Sequence, residues 1–124
     1  MANDELGRFQ NPDKDLALAD LASAARTTTG NGTAFDTTAI DSINATLVIT
    51  AASGTTPTLD LVLQTTADGT NYYTAGTFAQ QTTTQTGLAR VFGDLGDLSR
   101  WQWTIAGTTP SFTFRVDTTV DSDQ

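Results

Sequence analysis

The chain contains no cysteine and no histidine, and it has a single glutamate, Glu5, and a single lysine, Lys14. Without cysteine there is neither a disulfide nor a thiolate metal site, and redox chemistry says nothing about the compartment. Without histidine or a thiol, the commonest general base and the commonest strong nucleophile are both missing. A carboxylate pair of the kind glycoside hydrolysis uses would have to come from aspartates such as Asp60, Asp94 and Asp97. Asp60 falls on an outer strand face and the other two in a turn, where aspartate occurs for local backbone reasons. The expectation is a protein that is not an enzyme and takes no cofactor. No apolar run approaches the roughly 20 residues of a membrane helix, and residues 1–5 lack the basic start and apolar centre of a signal peptide. The chain therefore reads as made in the cytosol and soluble, with no membrane partner. Six basic residues against fourteen acidic ones leave a net charge of −8. A phosphate backbone is a poor partner for such a chain, because nucleic-acid binding rests on clustered Lys and Arg.

What is present in quantity is threonine, about a fifth of the 124 residues. Its β-branched side chain suits a strand and its hydroxyl suits a wet sheet face. The length allows one domain with one core. Two stretches organise it. Residues 45–63 read strand, Gly54-Thr55-Thr56-Pro57, strand; residues 100–116 read strand, Gly107-Thr108-Thr109-Pro110, strand. Period-two alternation places Leu47, Ile49, Leu59, Leu61 and Leu63 on one face of the first unit. It places Trp101, Trp103, Ile105, Phe112, Phe114 and Val116 on one face of the second. Each unit is expected to be a hairpin closed at its own Gly-Thr-Thr-Pro turn. Two such apolar faces packed together make a β-sandwich.

The remaining chain falls into place around these units. Residues 1–21 are dense in charge and read as an N-terminal arm, with a short helix within residues 15–25. Residues 22–118 form the sandwich and residues 119–124 an acidic, fraying tail. Residues 24–29 read as a strand ended by a tight turn at Gly30-Asn31-Gly32, with a return strand through Ala34 and Phe35. Ile40 and Ile43 are inward anchors. Ala67-Asp68-Gly69-Thr70-Asn71 is a hairpin connection into Tyr72-Tyr73-Thr74, and Phe78 continues inward. Residues 80–86 are an edge strand or a long loop, and residues 88–92 a further strand. The sum is an all-β, single antiparallel β-sandwich, jelly-roll-like, of about eight strands with an extended N-terminal arm. The two similar units mean either pseudo-symmetry between the sheets or one turn solution used twice.

Few residues suggest chemistry. Asp94-Leu95-Gly96-Asp97 and Asp13-Lys14-Asp15 fall short of the oxygen count and spacing a calcium loop needs, and both are better read as turns; no metal is expected. Asn31-Gly32-Thr33 and Asn44-Ala45-Thr46 match the glycosylation triplet, but without a secretion signal they would not meet the enzyme. Trp101 and Trp103 would make a sugar-stacking platform if exposed, but their phase with Ile105 assigns them to the core. Candidate partner contacts are Arg8, Phe9 and Leu16 in the arm, and Tyr72 and Tyr73, of which one is expected to be exposed.

Three stretches together resemble a known group: residues 22–35 (Ala-Ser-Ala-Ala-Arg-Thr-Thr-Thr-Gly-Asn-Gly-Thr-Ala-Phe), residues 47–61 and residues 103–114. The pattern is similar to small β-sandwich virion structural proteins of tailed bacteriophages, some of them head decoration or accessory proteins. The resemblance covers roughly residues 22–116 and carries no catalytic motif. It implies a virion protein made in the host cytoplasm, with the major capsid protein or other virion proteins as partners. Capsid decoration is its first implication; a glycan-binding or host-adhesion module and a tail or head–tail connector component remain alternatives. It also allows a closed homo-oligomer, with a trimer the state offered.

Overall fold

The computed structural model describes residues 19–122, with the side chain of Ser122 excluded. Its seven strands are β1 (Leu21–Arg26), β2 (Gly30–Asn31), β3 (Phe35–Asp36), β4 (Ile40–Thr66), β5 (Tyr73–Thr77), β6 (Gln85–Phe92) and β7 (Leu98–Ser122). Every ladder is antiparallel. The long strands β4 and β7 pair with each other from end to end, Ile40 opposite Ser122 and Thr66 opposite Leu98.

This overturns the expectation of two separate hairpins. Leu47 lies opposite Val116 and Leu59 opposite Ile105, so each Gly-Thr-Thr-Pro segment is a fold in a continuing strand. Alternation specifies which face a residue takes but not which strand it pairs with, and both readings satisfy it equally. The fold has a backbone cause. Gly54 and Gly107 have φ of +113° and +121°, and Thr56 and Thr109 both sit at +46°. Two positive-φ residues, two positions apart in each segment, break the pleat, and the prolines that follow cannot donate to a ladder. The pairing shifts register on either side of Thr55, which faces Thr108 at the crease.

Creased in this way, the β4–β7 ribbon supplies the middle of two layers. In the first, residues 40–53 of β4 and 111–122 of β7 lie between β6 and β1. In the second, residues 58–66 of β4 and 98–106 of β7 lie between β5 and the short pair β2 and β3. The result is an open, jelly-roll-like β-sandwich of four rows per layer. Its interior holds Ile43, Leu47, Ile49, Leu59, Leu61, Leu63, Phe112, Phe114 and Val116, each at most 2% exposed. Aromatic rings lock the layers together. Phe92 of the first layer meets Trp101 of the second edge-on at 5.5 Å and Phe78 at 5.4 Å, and Trp103 meets Phe114 at 5.9 Å. Each such pair adds about 0.5–1.5 kcal/mol to the area buried.

Other local readings change too. Residues 21–25, inside the span read as a short helix, belong to a strand, because alanines and a serine laid against the free edge of β7 gain ladder hydrogen bonds. Of the strand read over residues 24–29, residues 24–26 stand as expected and residues 27–29 lie beyond its end. Gly30 and Asn31 do not turn a hairpin; they pair with Trp103 and Gln102, and Gly32 N donates to Trp101 O at 2.7 Å. Residues 119–122, read as tail, continue β7 against the start of β4. Residues 80–84 are a loop touching the sheet at one bridge, Leu59 to Gln81. The turn before Tyr73, the inward Phe78 and the buried Ile43 stand as expected, while Ile40 is half-buried.

The path of the chain repeats itself. β1, β2 and β3 run from the first layer's edge to the second layer's edge and lead into β4. In the same way β5 and β6 run from the second layer's edge to the first and lead into β7. The ladder shows the corresponding internal two-fold, centred on Thr55 and Thr108. Ala52 opposite Phe112 matches Ile105 opposite Leu59, Ile49 opposite Phe114 matches Trp103 opposite Leu61, and Leu47 opposite Val116 matches Trp101 opposite Leu63. One extra residue, Thr50, is taken up by the register shift between Ile49 and Ala51. Of the two readings of the repeated unit, pseudo-symmetry is the one the structure has.

Candidate interaction surface

The interior uses its polar groups on itself. Thr37, Thr65 and Ser99 are fully buried and form a hydroxyl chain, with Ser99 Oγ 3.0 Å from both threonine oxygens. Its ends are anchored by Thr37 Oγ1 donating to Gly96 O at 2.7 Å and Thr65 Oγ1 donating to Leu98 O at 2.9 Å. Such a chain needs every member satisfied to be tolerable in a dry interior. Here it ties the start of β7 to the segment before β4, and it exposes no nucleophile.

Asp60 and Asp20 are likewise engaged. Asp60 accepts from Gln80 Nε2 at 3.1 and 3.2 Å, and Asp94 occupies a left-handed turn at φ +56°. Among the described residues no three carboxylates converge as a metal site would require. Asp20 Oδ1 accepts from Thr118 N and Oγ1, at 2.8 and 2.6 Å, so the start of the described chain is pinned beside the end of the core. A shallow hollow of 230 Å³ on the first layer's outer face is lined by Asn44, Thr46, Asp117, Thr118 and Thr119.

The tyrosine corner was legible in the sequence. Asp68 builds the loop that delivers it: Oδ1 accepts from Thr70 N and Asn71 N, both at 2.8 Å, and Oδ2 from Asn71 Nδ2 at 2.9 Å. Thr66 Oγ1 donates to the same carboxylate at 2.9 Å. Donation from the Asn71 and Thr70 backbone, then from the Asn71 and Thr66 side chains, holds the Asp68 carboxyl well below the usual carboxylate range. Its folded pKa is depressed, so its contribution to stability is complete above the unfolded value near 4 and is lost as pH falls toward the folded one. Asp68→Asn should therefore melt below the wild type at pH 7, with the gap closing between about pH 5 and pH 2. Thermal unfolding at a series of pH values checks this, and a gap independent of pH would refute it.

Beyond that loop, Tyr72 is half-buried beneath Arg100, whose guanidinium stands 3.8 Å from the ring centre and whose Nε donates to Gln64 Oε1 at 2.9 Å. Tyr73 is the exposed tyrosine, at 52%. Arg8, Phe9 and Leu16 lie outside the described residues. Trp101 and Trp103 are buried, their indole N–H groups donating to Ala19 O at 2.8 Å and Thr28 O at 3.1 Å. No sugar platform exists there.

Sequence reasoning missed the arginines of the open sides. Arg26 closes the gap between β1 and β2. Its guanidinium lies 4.7 Å from the Trp103 ring centre and 4.4 Å from that of Phe114, and donates to Ala22 O, Ala24 O and Phe114 O. Partial burial lowers its pKa, yet an arginine stays charged. Arg90 stands at the opposite opening, between β6 and β5, 5.4 Å from the Phe92 ring centre. Both face inward from edge strands, and alternation would have filled those places with apolar side chains. Comparison of the sequence with protein-family models finds no match, and a search of curated proteins likewise finds none of significant similarity.

Proposed function

We propose that this chain is a non-enzymatic structural protein of a tailed-bacteriophage virion, and that it decorates and stabilises the capsid by binding its outer surface. The observation that carries the reading is where the resembling stretches lie. Residues 22–35 supply the edge β1 and β2, and residues 47–61 and 103–114 supply the crease and central ladder. The shared pattern is thus a pattern of scaffold, which suits a protein whose work is to occupy a surface. Fold alone does not select this role. The glycan-binding alternative loses its support with the burial of both indoles.

Residues 1–18 are charged and precede a point where the chain is fastened to the body by Asp20 and Ala19. In this reading they add contact area on the shell. Removing residues 1–18 should leave a cooperatively folding protein whose binding to capsids lacking it falls at least tenfold, a loss of about 1.4 kcal/mol. Co-sedimentation with purified shells measures the fall. Undiminished binding would remove the segment from the interface, and labelling found on the tail of intact particles would end the decoration reading itself.

A further inference from the structure

The four sheet edges are not alike. β1 has a register shift between Leu21 and Ala24, and Arg26 occupies the carbonyls of Ala22 and Ala24. β2 and β3 are two residues each. β5 is interrupted by a shift between its partners Leu63 and Gln64. Short, bulged or capped edges resist the addition of another strand. β6 differs: residues 88–92 pair with β4 in five consecutive steps, from Leu47 opposite Leu88 to Ile43 opposite Phe92. Only its beginning is blunted, where Gln85 Oε1 takes Gly87 N at 3.2 Å. The far side of residues 88–92 is a regular row of backbone donors and acceptors.

The side chains on that rim point the same way. The two large apolar side chains most exposed among the described residues are Val91, at 61%, and Tyr73, at 52%. They stand on β6 and β5, which face each other across the opening, since Gly76 of β5 lies under the Phe92 ring and beside Arg90 Nε. Arg90 has no carboxylate partner among the described residues, whereas Arg115 pairs with Asp117 at 3.1 Å. Arginine, tyrosine and an apolar side chain together are the composition of an interface centre.

We infer that the free edge of β6 is a docking site for an extended segment of a partner protein. The segment adds as a strand, with a carboxylate opposite Arg90 and an apolar side chain beside Val91. A second copy of this chain fits poorly. The antiparallel register that uses all five residues centres on Arg90 and sets two guanidinium groups directly opposite one another. Strand addition takes its affinity from the main chain and its selectivity from alternate side chains. The inference stands apart from the virion assignment, because it follows from the edge and its charge.

The test uses the full chain, labelled for NMR, and two capped synthetic peptides: Thr-Thr-Val-Glu-Val-Thr-Thr, in which a Val next to the Glu falls beside Val91, and the same peptide with Gln for Glu. The expected result is shift changes centred on residues 88–92 and on Tyr73, with the Gln peptide binding about tenfold more weakly. Arg90→Gln, verified as folded by its spectrum, should bring the two peptides to equal affinity. Absence of binding up to millimolar peptide, or shifts centred elsewhere, overturns the inference. Equal binding of both peptides to the wild type overturns the carboxylate requirement. None of these readings involves a capsid, so they are independent of the outcome of shell binding.

Discussion

Replacing Gly54 with alanine should destabilise the protein by about 3–5 kcal/mol, and replacing Gly107 should cost nearly the same. A Cβ on Gly54 would lie 2.8 Å from Thr109 O and 2.9 Å from both Pro110 Cα and Thr108 O. A Cβ on Gly107 would meet Thr56 O at 2.8 Å and Pro57 Cα at 2.9 Å. In both cases the obstacle is backbone, which cannot swing aside as a side-chain tip can. Both glycines also have strongly positive φ, where an L-residue pays a further conformational penalty of about 1–2 kcal/mol. The two sites share one crease, so the double variant should lose less than the sum of the single losses. Urea unfolding of the three variants measures this. A loss under about 1 kcal/mol in either single variant would mean that the crease opens easily and does not govern the fold.

Trp101→Ala should cost about 3–5 kcal/mol, the range for removing a large buried aromatic. Trp101 is 1% exposed and touches Phe92 across the layers and Phe78 on its own side, so its loss opens a cavity between the sheets. Its indole N–H also holds Ala19 O. Trp101→Phe separates the two contributions. It keeps much of the packing, leaves Ala19 O without its donor, and should lose less than half as much as the alanine variant. Hydrogen exchange near residue 20 should rise in both variants, and chemical denaturation gives the free energies. Equal losses in the two would place the stabilisation in the hydrogen bond instead of the ring.

The face assignments were legible because alternation is a local property. Leu47, Ile49, Leu59, Leu61, Leu63, Trp101, Trp103, Phe112, Phe114 and Val116 all turn inward as period two requires. Pairing was not legible, because the crease residues suit a hairpin turn as well as a bend shared by two strands. A hairpin is the shorter-range solution, and only the partner strand, fifty residues away, rules it out. The inner arginines were hidden for a related reason. Arg26 and Arg90 obey alternation in direction but not in polarity, and an open side where a guanidinium can lie on a ring while reaching water exists only after the layers have met. Of the candidate site, Tyr73 could be named beforehand because it follows a strong turn signal. Val91 could not, since its exposure depends on β6 being an edge.

The internal two-fold bears on the order in which the chain is written. Thr65 lies opposite Tyr73 across a short connection, and at the equivalent place Thr118 is held by Asp20 with no connection between them. Topologically the body is a closed loop of two like halves, cut at one of two matching joints. A polypeptide joined between Thr118 and Asp20 and opened near Asp68 would visit the same strands in the same neighbourhoods. Which of the two halves comes first along the chain is incidental to this architecture.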